Sequence, residues 1–402
     1  MSARTTVVGD RRRVASHKQQ ARRRHPAQRR TGLTTTPPTP PPVAFYVISV
    51  VAVIFTLLGL VMVLSASSVS QFHRGSSPWR IFQRQAWWAG FGIFGLWVAM
   101  KVPLHRVRPF VGAFAALSTV LMVLPFAPGI GVTVNGARAW VEIGQLTFQP
   151  SEFLKLALLL QCAHLIAGRR RDESDLMRAV GPVAVFAVVG LALCLAQGDF
   201  GSGVVLATIV FAMLFMAGAP LGPMVGVAAT AFALGSVLVM SSPRRAARFT
   251  AFLDLAGTKD DFGYQVWQAR IGIAQGGVAG AGIGRGLNKL GEFLPLAHSD
   301  FIFAVIVEEL GLVGMVVVLG GFCALLYSAM QVAHATQDRF HTMVAAGIGT
   351  WLAAQAAINV GGVTGLLPLT GLTLPFFSAG GSSLLVTLAA TGLLLNVARN
   401  VR

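Results

Sequence analysis

Long apolar stretches separated by short polar loops dominate the chain from residue 43 onward. Each approaches the ~20 residues that an α-helix needs to cross a bilayer. They lie at about 44–66, 84–102, 109–128, 151–168, 179–197, 202–219, 222–241, 300–330, 342–362 and 381–398. The pattern therefore predicts an all-α polytopic membrane protein with about ten transmembrane helices. The stretch 300–330 is longer than one span and predicts a helix that is tilted or extends beyond the bilayer.

The basic residues predict the orientation of these helices. Lys101, Arg106 and Arg108 share one loop, and Arg169–Arg171 lie in another loop on the same side. Cytoplasmic loops carry an excess of Lys and Arg, so this side is predicted to be cytoplasmic, together with both termini. The longest loop, residues 242–299 between spans seven and eight, is then extracytoplasmic.

Composition agrees with a membrane protein, because only 12% of the residues are charged and 54% are hydrophobic. Residues 1–42 differ from the rest: they contain arginine runs, lack apolar periodicity and end in a proline-rich spacer. They predict a disordered basic cytoplasmic tail, distinct from a membrane domain at 43–402. The formal charge of +17 is placed to set topology and to contact anionic lipid, not to bind nucleic acid. The three cysteines lie within apolar runs and predict core residues.

Three carboxylates stand at the head of the eighth stretch, in LPLAHSDFIFAVIVEELG. Glu308 lies ~12 Å further along the helix than Asp300, and Glu309 lies on nearly the opposite face. No acid–base pair can therefore form within this helix, and both glutamates are predicted to be structural, with partners on other helices. Asp300 either caps the helix or acts as a single carboxylate together with groups from other loops.

Further charged residues occur in the predicted outer loops. Glu152 and Lys155, in QPSEFLKL, either pair with each other or bind an anionic ligand. Arg138 suits a phosphate group through its planar donors, and Trp140 is typical of a membrane interface. Asp199, between two glycines, predicts a turn or a helix cap.

The long loop predicts a surface helix followed by a flexible crossing. The helix is placed at about 262–275 and carries Tyr264 and Gln265. A glycine-rich segment then leads to Lys289 and back to the membrane. Its GAGIGRG string does not predict a dinucleotide site, because no strand precedes it.

Several motifs, in order, resemble one known family. GARAW, QPSEFLKL, QGDFGS, HSDFIFAVIVEELG and NVGGVTGLLPLTGLTLPFFSAGGSS look like motifs of the SEDS family (shape, elongation, division and sporulation) over roughly 44–398. The resemblance implies a peptidoglycan glycosyltransferase that polymerises lipid II from an undecaprenyl-pyrophosphate-linked glycan. The division members are the most similar, and the elongation members come second. It also implies a class B penicillin-binding protein and other divisome membrane proteins as partners, and a multi-pass location in the inner membrane at the septum.

The resemblance also implies site residues. The essential aspartate of the family maps onto Asp300 as the catalytic residue. The substrate-binding candidates, in these motifs and in the long loop, are Arg138, Trp140, Glu152, Lys155, Asp199, Tyr264, Gln265, Lys289, His298, Ser299, Asn359, Ser378 and Ser382. The chain departs from the family at Leu296, at Ala379 and at Ala139, where family members carry Arg directly before the tryptophan.

In the implied reaction, a sugar 4-hydroxyl attacks the anomeric carbon of the lipid-linked chain, and Asp300 takes the hydroxyl proton. Arg138, Lys155, Lys289 or a divalent cation (Mg²⁺ or Mn²⁺) would stabilise the diphosphate that leaves. A metal site would use Asp300, with Asp199 as a second ligand; no other cofactor is predicted. The alternatives are a lipid II flippase and a divisome scaffold. We find no internal repeat of the kind common in transporters, and the polar groups gather at one face.

Overall fold

The computed structural model describes residues 42–134, 136–144, 146–168, 173–240, 243–288 and 294–401. The predicted basic tail, up to residue 41, and the predicted ligand Lys289 lie outside the described residues.

Helices account for most of the described chain, with one small sheet. The helices are α1 Val43–His73, α2 Arg80–Lys101, α3 Leu104–Val107, α4 Val111–Leu121, α5 Pro150–Ala167, α6 Glu173–Gln197, α7 Phe200–Met216, α8 Leu221–Met240, α9 Pro243–Leu253, α10 Tyr264–Gly276, α11 Ile302–Ala335, α12 Arg339–Thr364 and α13 Gly381–Asn400. The strands are β1 Gly131–Val134, β2 Ala137–Ile143 and β3 Leu146–Phe148.

Each predicted span coincides with helical structure. Among the described residues, five helical segments are long and apolar enough to cross a membrane: Val43–His73, Leu104–Phe126, Ile302–Ala335, Arg339–Thr364 and Gly381–Asn400. Gly181–Gln197 and Phe200–Met216 are shorter apolar helices. In the most apolar window of α13, 83% of the residues are buried, against 28% for Leu104–Phe126, so α13 lies at the centre of the bundle.

A three-stranded antiparallel sheet occupies the loop between α4 and α5, where the sequence analysis predicted no strands. Val132 of β1 lies opposite Trp140 of β2, and Val141 lies opposite Phe148 of β3. The loop sequence alternates polar and apolar residues with the period of a strand. Gly136, with φ of 84°, stands at the first turn of this meander.

The glycine-rich segment 277–288, predicted from sequence to be a flexible crossing, packs against α11. Helix α11 is broken at Gly311, which has φ of 66° and ψ of −157°. The segment fills this break: the Ala281 N–H donates to the Glu308 carbonyl at 2.9 Å, and the Leu312 N–H donates to the Gly277 carbonyl at 2.9 Å. The broken helix therefore continues its hydrogen bonding through a neighbouring loop.

The two buried glutamates before the break have hydrogen-bonding partners; that of Glu309 lies on another helix, as predicted, whereas those of Glu308 lie in the glycine-rich segment. Glu309 accepts the Ser65 hydroxyl of α1 at 2.7 and 2.8 Å. Glu308 accepts the backbone N–H of Leu287 at 2.6 Å and that of Asn288 at 3.3 Å. These groups are a hydroxyl and amides, and they tie α1 and the glycine-rich segment to α11.

We expect Gly311→Ala to lower the stability of the protein by about 3 kcal/mol. Its backbone conformation is accessible essentially to glycine alone, and an added Cβ would clash with the backbone of Val278 and Gly280. Gly320→Ala is the matched control in the same helix, because nothing lies within 4 Å of its Cβ position. Thermal unfolding in detergent micelles measures both variants, and equal midpoints would contradict the role given to the break.

Candidate active site

Asp300 lies at the end of a tight loop, residues 294–301, that leads into α11. Leu296 adopts a φ of 60°, which side-chain-bearing residues rarely occupy. Its carbonyl accepts the Ser299 N–H at 2.9 Å and the Ser299 hydroxyl at 3.2 Å. The strained turn brings His298, Ser299 and Asp300 together at one end of the helix bundle.

A second irregular segment, residues 365–380, packs against this loop. The Ser378 hydroxyl donates to the Ser299 carbonyl at 2.6 Å, and the Ala379 N–H donates to the His298 carbonyl at 2.9 Å. The Gln85 side chain of α2 donates to the Ser378 carbonyl at 3.0 Å. Ser378 thus serves in the structure as a tie between the two segments.

The backbone and carboxylate of Asp300 are both enclosed by this arrangement. The Asn359 side-chain amide donates to the Asp300 carbonyl at 2.9 Å and to the Leu372 carbonyl at 2.6 Å. Gly371 lies beside the carboxylate, because a Cβ there would be 3.6 Å from Asp300 Oδ2. Asp300 nevertheless remains partly accessible to solvent.

The surroundings of the loop shift the ionisation of its side chains. Burial raises the pKa of Asp300 to about 7, although a hydrogen bond from Ser299 and the positive charge of Arg248 oppose the shift. Burial lowers the pKa of His298 to about 4, helped by Arg74 and Arg84. Near neutral pH, His298 is therefore uncharged, and Asp300 exchanges its proton readily.

The three arginines are functional candidates that the sequence interpretation missed. Arg74 follows α1, Arg84 lies in α2 and Arg248 lies in α9, and all three side chains are exposed. A signal for the first two was present. They flank the short loop after the first span, where outer loops are poor in arginine. Arg74 and Arg84 lower the pKa of His298, and Arg248 lowers the pKa of Asp300, so positive charge from three elements acts on the Asp300 loop.

Lys155 lies in the interior and forms an ion pair with Glu152. Their Nζ and Oε2 atoms are 2.8 Å apart, and the side chains are 0% and 3% exposed. Lys155 also donates to Gln355 Oε1 of α12 at 3.0 Å. The sequence left open whether Lys155 pairs with Glu152 or binds an anionic ligand, and the structure shows the pair.

Asp199 caps α7 and joins it to α5. One carboxylate oxygen accepts the Ser202 N–H at 3.0 Å, and the other accepts the Gln149 side chain at 2.8 Å and the Ser151 hydroxyl at 2.9 Å. Nearby, the Ser382 hydroxyl accepts the Gln149 N–H at 3.1 Å. Both predicted ligands thus hold the start of α5 in place.

The remaining candidates lie around these clusters. Arg138 is exposed on β2, and Trp140 is half-buried on the same strand. Tyr264 is half-buried at the start of α10, and the Gln265 side chain is 3.5 Å from the Pro295 carbonyl of the Asp300 loop. Gln265 therefore links α10 to the Asp300 loop.

The described residues do not form an evident binding site for the predicted divalent cation. Within the described ranges, no group of three or more His, Cys, Asp or Glu side chains could hold a metal ion. Asp199, the second predicted ligand, already accepts hydrogen bonds at both carboxylate oxygens. We therefore derive no step through a metal ion.

Comparisons with known proteins agree with the geometry. A family profile described as "Cell cycle protein", covering FtsW, RodA and SpoVE, matches residues 45–402. The chain is 40% identical over 356 residues to the probable peptidoglycan glycosyltransferase FtsW of Mycobacterium tuberculosis, covering 89% of this chain and 68% of the relative.

Two solved structures share the architecture. A chain of a peptidoglycan synthase complex that coordinates polymerization and crosslinking superimposes with a TM-score of 0.72 at 29% identity, covering 89% of this chain and 98% of that chain. The rod shape determining protein RodA of Thermus thermophilus has a TM-score of 0.65 at 29% identity, covering 88% and 96%. The resemblance implied by the motifs is confirmed: the chain belongs to the FtsW, RodA and SpoVE family of cell cycle proteins.

Proposed function

We propose that the chain polymerises lipid II into glycan strands at the outer face of the cytoplasmic membrane during cell division, with Asp300 as the general base. That it is an enzyme of the peptidoglycan glycosyltransferase class follows from its similarity to relatives bearing that name. The observation that supports the rest is the enclosure of the Asp300 carboxylate between the loop 294–301 and the segment 365–380, with Gly371 beside it.

Asp300 is suited to take a proton from a sugar hydroxyl. A general base works best when its pKa lies near the operating pH, and burial brings Asp300 into that range. As the 4-hydroxyl attacks the anomeric carbon, its proton passes to Asp300. The bond from that carbon to the diphosphate breaks, and the diphosphate leaves with the electron pair.

The arginines stabilise the negative charge that develops on the leaving diphosphate. Arg74, Arg84 and Arg248 act electrostatically on residues 298–300 from three different elements. A guanidinium group can donate two parallel hydrogen bonds to one phosphate. An undecaprenyl diphosphate bound beside Asp300 is therefore stabilised as it leaves. This set replaces Lys155 as the main source of positive charge, since Lys155 is buried and paired.

The partner, topology and location follow from the same proposal. A structural neighbour belongs to a synthase complex that couples polymerization with crosslinking. This supports a class B penicillin-binding protein as partner, within the divisome at the septum. About ten spans with both termini in the cytoplasm would put loop 294–301 at the outer surface, where the sugar chain is accessible.

Purified full-length protein, reconstituted with its transpeptidase partner and supplied with lipid II, tests the proposal. We expect glycan strands that a gel of labelled product resolves. Absence of strands from an intact, partner-bound protein would contradict it.

Lipid II transport is the second candidate, because α11 is broken at Gly311 beside a glycine-rich segment that fills the break. Discontinuous helices are common in transporters. Vesicles carrying fluorescent lipid II distinguish the two functions, since flipping without polymerisation would favour transport.

The pH dependence of polymerisation should shift when Arg248 is replaced by Gln. As a base, Asp300 must be ionised, so the rate falls as pH drops below about 7. Arg248 lowers the pKa of Asp300, so its removal should move the acid limb of the pH–rate profile upward by about half a unit. The variant should lose some activity at every pH, because the leaving diphosphate loses a cation, but the loss should be larger near pH 6.5 than at pH 8.5. Arg106→Gln, at a position predicted to be cytoplasmic, is the control, and an equal shift there would contradict the assignment.

A further inference from the structure

One face of α12 carries three buried polar side chains at intervals of four residues. Trp351, Gln355 and Asn359 are 1%, 1% and 4% exposed. Residues four apart lie above one another on a helix, so the three form a row, here called the polar ladder. The row begins beside Lys155 and ends beside Asp300.

The middle residue of the ladder, Gln355, is held by a buried cation. Gln355 Oε1 accepts Lys155 Nζ at 3.0 Å and Trp351 Nε1 at 3.0 Å. Lys155 is itself held by Glu152. Two donors on one oxygen fix the orientation of the Gln355 amide, because its nitrogen must then point the other way.

Gln355 and Asn359 also donate hydrogen bonds to the backbone of the segment that packs beside Asp300. Gln355 Nε2 donates to the Thr373 carbonyl at 2.9 Å, and Asn359 Nδ2 donates to the carbonyls of Leu372 and Asp300. The backbone at 371–373 is thereby held between the ladder and the catalytic loop. Gly371, within this stretch, lies beside the Asp300 carboxylate.

We infer that Gln355 is a positioning residue for Asp300, because its amide connects the buried Lys155–Glu152 ion pair to the segment that encloses the catalytic carboxylate. The inference rests on the proposed function. Without the Gln355 amide, residues 371–374 lose a support, water reaches the carboxylate, and the attacking hydroxyl meets a less well placed base.

The effect on Asp300 gives the inference a specific readout. Burial is the main cause of its raised pKa, so a loosened enclosure lowers that pKa. The acid limb of the pH–rate profile then moves to lower pH, whereas partial misfolding lowers the amplitude at every pH.

Gln355→Met tests this in the full-length protein with lipid II as the substrate. We expect kcat to fall about tenfold, with KM changed less than about twofold, and the acid limb to move down by about half a pH unit. Ser378→Ala is the second variant. It removes the hydroxyl that donates to the Ser299 carbonyl and accepts the Leu374 N–H, and it should move the acid limb in the same direction.

Asn396→Leu is the matched control. Asn396 is also a buried amide, and it donates to the carbonyls of Ala99, Met100 and Val102. It lies in α13 roughly 20 Å from Ser382, at the far end of that helix. Its loss should affect stability but leave the acid limb in place.

The outcomes separate this inference from the proposed function. Wild-type protein that makes no strands defeats the proposed function. Wild-type activity with an unchanged acid limb in Gln355→Met and Ser378→Ala overturns the positioning role alone. Should Gln355→Met not fold, the acid limb in Gln355→Glu decides, because this variant keeps an oxygen to accept Lys155 Nζ and removes the donor to the Thr373 carbonyl.

Discussion

Replacing Asp300 by asparagine is expected to lower the rate of glycan polymerisation by ~10³-fold or more, since a positioned general base typically contributes 10²- to 10⁴-fold. Asparagine has the same shape, and the backbone contact from Asn359 to residue 300 remains. Only the ability to accept a proton is lost. Labelled lipid II and a gel of the glycan products measure the rate, and full activity of a folded, partner-bound variant would refute Asp300 as the base.

The same variant should be more stable than wild type, which separates loss of chemistry from loss of fold. The pKa of Asp300 is about 7 in the folded protein, against 3.8 for an unperturbed carboxyl. The folded state therefore holds this proton more tightly, and wild-type stability falls as pH rises from about 4 to about 7. Asparagine mimics the protonated form. Its advantage should be absent below pH 4 and reach at most about 4 kcal/mol above pH 7.

Thermal unfolding at pH 4, 6 and 8 measures this difference. A variant that is inactive and also less stable at pH 8 would point to structural damage. A constant difference across the three pH values would mean that the carboxyl is not desolvated as the fold implies.

The second large effect is expected from Lys155→Met, which should destabilise the protein by about 3–5 kcal/mol. The substitution leaves Glu152, whose side chain is 3% exposed, charged in the interior without its cation. It also removes one of the two donors to Gln355 Oε1. Unfolding midpoints in detergent provide the measurement, and Lys101→Met, on an exposed lysine, is the control.

Restoring neutrality should recover much of this loss. The double variant Lys155→Met with Glu152→Gln carries no unpaired buried charge, so its midpoint should lie above that of Lys155→Met alone. If Lys155→Met keeps wild-type stability but loses binding of lipid II, the cation contacts the substrate directly, the alternative suggested by the sequence.

Prediction from sequence succeeded where local patterns carry the information. The apolar stretch 381–398 matches α13, Gly381–Asn400, because its length and hydropathy are properties of consecutive residues. The helix predicted at 262–275 is observed as Tyr264–Gly276. The break at Gly311 was not predicted from the sequence, because the backbone angles of a glycine cannot be inferred from its place in an apolar run.

The sequence identified candidate site residues but not the contacts between them, because those contacts join segments that are far apart in the chain. The motif placed Asp300 at the head of α11 and His298 and Ser299 beside it. It assigned Asn359 and Ser378 to substrate binding, which stays a prediction, and the structure adds that both support the Asp300 loop. Asp199 caps α7, which is one of the two roles that the sequence predicted for it.

By itself, the sequence determined the apolar helices, the family, and the position of a lone carboxylate at the start of one long helix. The tertiary structure alone decided what surrounds that carboxylate. Lys155 and Gln355 are 200 positions apart, and Ser65 and Glu309 are 244 positions apart. Contacts at such separations depend on how helices pack, and no periodicity within one helix encodes them. For the same reason, the sequence does not reveal that positive charge from three separate elements acts on His298 and Asp300. The charges are those of Arg74, Arg84 and Arg248.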